Sequence, residues 1–128
     1  MNIKEKLSTL WILLSLNYIW NDVFSLYFVP GVTEEAIGFT GGSWVAPFAF
    51  AVIIETAVVM VLFSRILPYA MNRWANIIVG VLHTALATWS VIEGVPEPFY
   101  AFIVTAEIVT TLLIVWYAWK WRKLETEK

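Results

Sequence analysis

Glu55 closes the apolar run Phe48-Ala49-Phe50-Ala51-Val52-Ile53-Ile54, and Glu107 closes a second run, Tyr100-Ala101-Phe102-Ile103-Val104-Thr105-Ala106. Each run follows a proline, Pro47 or Pro98, and each continues as apolar sequence past its carboxylate. An ionisable side chain at the centre of a bilayer costs roughly 2.5–3.5 kcal/mol on insertion scales, so such residues turn inward, find partners and mark proton, ion or ligand sites. Placed on membrane helices, the only histidine, His83, lies near the depth of the two glutamates. Asn17 is beside it and Asp22 about a turn further out. Two carboxylates close to one axis cannot both ionise easily, so a shared proton or a bound cation is the chemistry to expect of Glu55 and Glu107. His83 is expected to bond with one of them. Tyr18, Trp20, Trp89 and Tyr100 could line the same acidic pocket and hold an organic cation by cation–π contact. Their alternative is ordinary belt or packing duty. Asn21 and Asn76, like Asn17, also read as helix-packing groups.

Several chemistries are excluded. The chain has no cysteine, which removes disulfides, thiol catalysis and thiolate metal sites. One histidine with carboxylates leaves a divalent-ion site as a weak alternative, since no two ligands show the i, i+3 or i+4 spacing of a helical metal motif, and a haem held by two histidines lacks its second histidine. No glycine-rich phosphate loop, nucleophile elbow or basic nucleic-acid patch is present. No cofactor, metal, catalytic residue or nucleic-acid partner is therefore expected, and an enzyme ranks behind the other readings. A lipophilic or cationic small molecule, a proton and membrane lipid are the expected partners.

Positioning these groups requires membrane helices. Of the 128 residues 60% are hydrophobic, and a mean hydropathy of +0.75 is far above that of a soluble domain this size. A helix crossing the ~30 Å hydrocarbon core needs about 20 mainly apolar residues, and four such stretches can be marked, at about 7–29, 44–67, 74–94 and 98–121. The chain is thus expected to be one all-α membrane domain over residues 1–128, a polytopic four-helix bundle. The first stretch carries Asn17, Asn21 and Asp22 and lacks a cleavage site, so it does not read as a signal peptide. Residues 30–46 form the one long loop. Thr33-Glu34-Glu35 resembles a short helix start, and a lid or re-entrant turn is expected there.

Helical spacing then sets the faces. Asn17, Tyr18, Asn21, Asp22 and Ser25 share one face of the first helix, opposite Leu13, Ile19 and Leu26. Asn76, Gly80, His83, Ala87, Ser90 and Gly94 share a face of the third, where small residues permit close approach. Tyr100, Glu107, Thr111 and Ala118 share a face of the fourth. Gly94-Val95-Pro96-Glu97-Pro98 reads as a tight turn, and the charged tail after Trp121 as frayed. Trp44 at one end, and Trp74, Trp116, Trp119 and Trp121 at the other, are expected as interfacial anchors.

All eight Lys and Arg residues fall on one side of this arrangement: Lys4, Lys6, Arg65, Arg73, Lys120, Arg122, Lys123 and Lys128. The other side carries Glu34, Glu35, Glu93 and Glu97. The positive-inside rule puts both termini in the cytoplasm and the protein in the cell membrane. The recurring Phe/Tyr-Ala-Phe-x-Val-x-x-Glu pattern points to two parallel helical-hairpin repeats, with two similar helices answering one bilayer constraint as the alternative. An aromatic-rich surface favours a homo-oligomer, a dimer or trimer.

At Asn72-Arg73-Trp74-Ala75-Asn76-Ile77-Ile78-Val79-Gly80 and Trp116-Tyr117-Ala118-Trp119-Lys120-Trp121 the sequence resembles a family of small prokaryotic membrane proteins of unknown function. It is similar to the wider DoxX-like group of four-helix proteins, a likeness that covers nearly the whole chain in layout and implies a four-helix fold but no single activity. Small multidrug exporters and sterol-isomerase-like proteins are similar only in plan, and no residue roles are carried over from them. Two functions remain: a bundle whose acidic pocket binds or transports a proton or a small lipophilic cation, and an accessory subunit whose polar cluster serves assembly.

Overall fold

A computed structural model describes residues 1–93 and 97–122. The expected turn at Gly94-Val95-Pro96 and the charged tail from Lys123 lie outside the described residues. The described chain is all-helical, with five helices: α1 (Ile3–Phe28), α2 (Val32–Thr40), α3 (Val45–Ile66), α4 (Tyr69–Glu93) and α5 (Pro98–Lys120). Three of them, α3, α4 and α5, are long and apolar enough to cross a membrane. α1 is as long but more polar.

Two helices start earlier than hydropathy indicates, for local reasons. Asn2 caps α1, its side chain accepting from the Glu5 amide at 2.9 Å and donating to the Glu5 carboxylate at 3.1 Å, which satisfies orphan groups at the helix start. α4 begins at Tyr69 because Pro68 breaks the chain. The residue before a proline is driven out of the helical region, and Leu67 is extended. The Asn72 amide then bonds back to the Pro68 carbonyl at 2.8 Å. α5 opens on Pro98, where a missing N–H costs nothing. The loop expected at residues 30–46 contains α2, an α-helix entered through Gly31 and left through Gly41, both at positive φ. α2 touches α1 and α3, and no described residue of it lines the pocket below.

α1 packs on α3 and α5, and α5 packs on α4, whereas α3 and α4 touch sparingly. The apolar core occupies the half of the molecule that holds the α3–α4 turn. It comprises Leu7, Trp11 and Leu14 of α1, Ala57 and Met60 of α3, Ile77 of α4, Ile114 and Ala118 of α5, and Trp121. Gly80 sets the α4–α5 spacing, since a Cβ there would come within 2.8 Å of a Val115 methyl. The same half has a polar hub. Asn76 accepts from Trp11 Nε1 at 2.7 Å and from Ser64 Oγ at 3.2 Å, and donates to Asn72. Asn72 in turn donates to the Ser64 carbonyl at 2.7 Å. Arg73 donates to the α5 carbonyls of Ala118 and Trp119, each at 3.1 Å, a favourable partner for a helix C-terminus.

The expected faces of α4 and α5 match the burial, and that of α1 does so except at Asp22, which is exposed. Leu13, Ile19 and Leu26 are exposed, while Asn76, His83 and Ala87 of α4 and Glu107, Thr111 and Ala118 of α5 are buried. Trp44, Trp74, Trp116 and Trp119 are exposed, as interfacial anchors would be. Trp121 is not. It is 6% exposed and packs edge-on against Tyr69 at 5.1 Å between ring centres, with the Tyr69 hydroxyl donating to its backbone carbonyl. It lies just past the last turn of α5, as its extended C-cap, and its side chain belongs to the core cluster.

Candidate functional site

The opposite half, towards α2, lies outside that core cluster, with Val29, Ala87, Ile103 and Val104 among its buried apolar residues. There the polar stripe of α1 meets the buried faces of α4 and α5, and a pocket of about 370 Å³ opens among the four long helices. Its lining comes from matching levels of each helix: Tyr18, Asn21 and Asp22 of α1, Phe50, Ile53 and Ile54 of α3, Leu86, Ala87, Trp89 and Ser90 of α4, and Tyr100 and Glu107 of α5. The pocket fills the gap left where α3 and α4 touch little. Phe50 and Trp89, from those two helices, are about half exposed.

Glu107 is 4% exposed. Asn21, itself 8% exposed, donates its Nδ2 to Glu107 Oε2 at 3.4 Å, while its Oδ1 has no hydrogen-bond partner. Asp22 shares the pocket but belongs to its exposed rim. The Ser90 and Tyr100 hydroxyls bond to one another and tie α4 to α5.

His83 is fully buried under the Tyr18 wall of the pocket. The Tyr18 hydroxyl lies 2.6 Å from its Nδ1 and the Thr56 hydroxyl 2.8 Å from its Nε2. Thr56 donates its own hydrogen to the Ile53 carbonyl. Trp11 packs edge-on against the ring at 5.6 Å. The carboxylate partner expected for His83 is therefore replaced by two hydroxyls. Neutral hydroxyls can satisfy both nitrogens of a neutral imidazole, so no charge need be buried beside it.

Of the residues singled out in the sequence, Tyr18, Asp22, Trp89, Tyr100 and Glu107 come together around this pocket, with His83 behind Tyr18. Three others do not join them. Glu55 is exposed, makes no hydrogen bond among the described residues, and lines a separate apolar groove with Phe48, Met60 and Phe63. The Glu55–Glu107 pair does not form: the two sit at similar depth but face different directions. Asn17 donates to the Leu13 carbonyl of its own helix at 3.0 Å, the cheapest way for an amide to meet its needs within a helix. Trp20 is exposed and stacks on Phe24 at 5.7 Å. Asn21, Thr56 and Ser90 are pocket or supporting residues that the sequence did not single out for chemistry. The signal for Asn21 was present in its stripe with Tyr18 and Asp22.

The model of a family of unknown function, DUF6326, matches residues 1–127, and the chain belongs to that family. No curated protein and no solved structure matches it.

Proposed function

We propose that the chain is a four-helix integral membrane protein, α1 crossing with α3, α4 and α5, and that its pocket binds a small lipophilic cation entering sideways from the bilayer. The observation that carries this reading is Glu107. It is a buried carboxylate in a pocket of mixed polar and apolar lining, and its side-chain hydrogen bond is to an amide, not a cation. No Lys or Arg lies anywhere between Lys6 and Arg65 or between Arg73 and Lys120. The His83 nitrogens are engaged by hydroxyls. Two carboxylates at one pocket with no cation from the chain call for one from outside. The volume falls in the range of small-molecule sites, about 300–1,000 Å³, and Trp89, Tyr100 and Phe50 offer aromatic faces to an organic cation.

Both termini then lie in the cytoplasm and the pocket opens in the outer leaflet, following the basic residues at the α3–α4 turn and the chain ends. Transport of the cation, or of a proton exchanged at Glu107, extends the same reading, and so does assembly into a dimer or trimer. The likeness in layout to DoxX-like proteins agrees with the fold proposed and assigns no ligand. An accessory-subunit role draws support from the Asn76 hub, where the polar groups named above bond to one another and hold helices together. That hub lies away from the pocket, so the two roles divide between the halves of the molecule.

The test uses protein in lipid nanodiscs and radiolabelled 4-phenylbutylammonium, with empty nanodiscs subtracted. Saturable binding is expected, with neutral 4-phenylbutanol competing at least about tenfold less well, and Glu107→Gln should abolish the preference. Absence of saturable binding, or equal competition by the alcohol, would sink the cation-pocket reading.

A further inference from the structure

We infer that the pocket selects its cation by N–H groups and not by charge alone: the ligand is a lipophilic ammonium that carries hydrogens, and His83 enforces this by turning the Tyr18 hydroxyl hydrogen away from the pocket. The inference rests on the cation-binding reading above and adds the chemical class within it.

The argument follows hydrogens around one chain of bonds. The Thr56 hydroxyl has a single hydrogen, and it goes to the Ile53 carbonyl. Towards His83 Nε2, at 2.8 Å, Thr56 can therefore only accept, so Nε2 carries the imidazole hydrogen. An imidazolium here would be a buried charge with no bonded carboxylate, so the ring is neutral and Nδ1 is an acceptor. Tyr18, 2.6 Å from Nδ1, must then donate to it. Its oxygen is left with lone pairs and no hydrogen to offer the pocket.

Asn21 points the same way. Turning its amide over would set its oxygen against the Glu107 carboxylate, so Nδ2 stays on Glu107 and Oδ1 remains an acceptor. That oxygen is buried without a donor on a side chain that is 92% buried. A buried acceptor left unmade is costly, and a ligand donor would relieve that cost. The interior of the pocket thus presents Tyr18 oxygen, Asn21 Oδ1 and the Glu107 carboxylate, with Asp22 at the rim. The remaining donors are the second N–H of Asn21 Nδ2, the Trp89 indole and one hydroxyl hydrogen of the Ser90–Tyr100 pair, and none of them carries a charge. An ammonium with several N–H groups matches this wall. A quaternary ammonium brings the same charge and no hydrogens, and leaves Asn21 Oδ1 unsatisfied.

The experiment compares 4-phenylbutylammonium with its N,N,N-trimethyl derivative in the same nanodisc assay. The primary ammonium is expected to bind at least about tenfold more tightly, the discrimination a charge-assisted hydrogen bond supplies. Tyr18→Phe removes one acceptor, and His83→Ala releases the Tyr18 hydrogen into the pocket. Each should narrow the ratio by weakening the primary ammonium while leaving the quaternary one nearly unchanged. Equal affinity of the two cations for the wild-type protein overturns the inference and leaves the cation pocket standing. Binding of neither cation removes the pocket reading and the inference with it. The wild-type comparison decides the matter even if a variant fails to fold.

Discussion

Replacing Asn76 by alanine should destabilise the protein by about 1.5–3 kcal/mol, although the residue lies away from the pocket. Its carboxamide takes hydrogen bonds from two other helices, Trp11 Nε1 on α1 at 2.7 Å and Ser64 Oγ on α3 at 3.2 Å. Interhelical bonds in membranes average about 0.6 kcal/mol and reach about 1.7, so two of them account for roughly 1–2 kcal/mol. The site is fully buried, which adds a cavity and leaves the Trp11 indole N–H without its acceptor. Asn17→Ala is the control. That amide donates only within its own helix, to the Leu13 carbonyl, and its loss should cost about 0.5 kcal/mol or less. The assay is SDS-driven unfolding from mixed micelles, followed by circular dichroism and compared at the midpoint. A Trp11→Phe variant closes a double-mutant cycle with Asn76→Ala, and a coupling of about 0.5–1.5 kcal/mol is expected between them. An Asn76→Ala variant as stable as Asn17→Ala would refute the hub as the element that joins α1, α3 and α4.

Glu107→Gln should act in the opposite sense. It keeps an acceptor for Asn21 and removes a buried carboxylate without a cation partner, so a gain of about 1–2 kcal/mol in the same unfolding assay is expected alongside the loss of cation preference. A loss of stability larger than about 1 kcal/mol would identify the carboxylate as a structural partner. For topology, the absence of native cysteine makes single-cysteine labelling clean. Glu34→Cys should react with an impermeant maleimide on intact cells and Lys4→Cys only after permeabilisation, and the reverse pattern would invert the proposed orientation.

The sequence resolved three of the long helices better than the fourth, and the reason is phase. α1 and α4 concentrate their strongly polar residues on one side, so helical spacing assigns their inward faces, and the structure places Asn21, Asn76, His83 and Ala87 inside as that spacing requires. α5 is more apolar, yet Glu107, Thr111 and Ala118 still share an angle. α3 offers almost no such contrast: from Val45 to Phe63 its only polar residues are Glu55 and Thr56, which are adjacent and so point about 100° apart. Sequence depth puts Glu55 level with Glu107 but leaves its direction around the helix open. The structure gives the inward direction to Thr56, which meets His83, and turns Glu55 to the surface. The matching Phe/Tyr-Ala-Phe-x-Val-x-x-Glu runs therefore share a depth and not an environment. The partners of His83 were hidden for a related reason. Charge alone favours a carboxylate beside an imidazole, whereas a ring sealed behind Trp11 is served at lower cost by hydroxyls that settle its tautomer. That tautomer leaves Tyr18 an acceptor, and the proposed preference for a hydrogen-bearing cation rests in part on it.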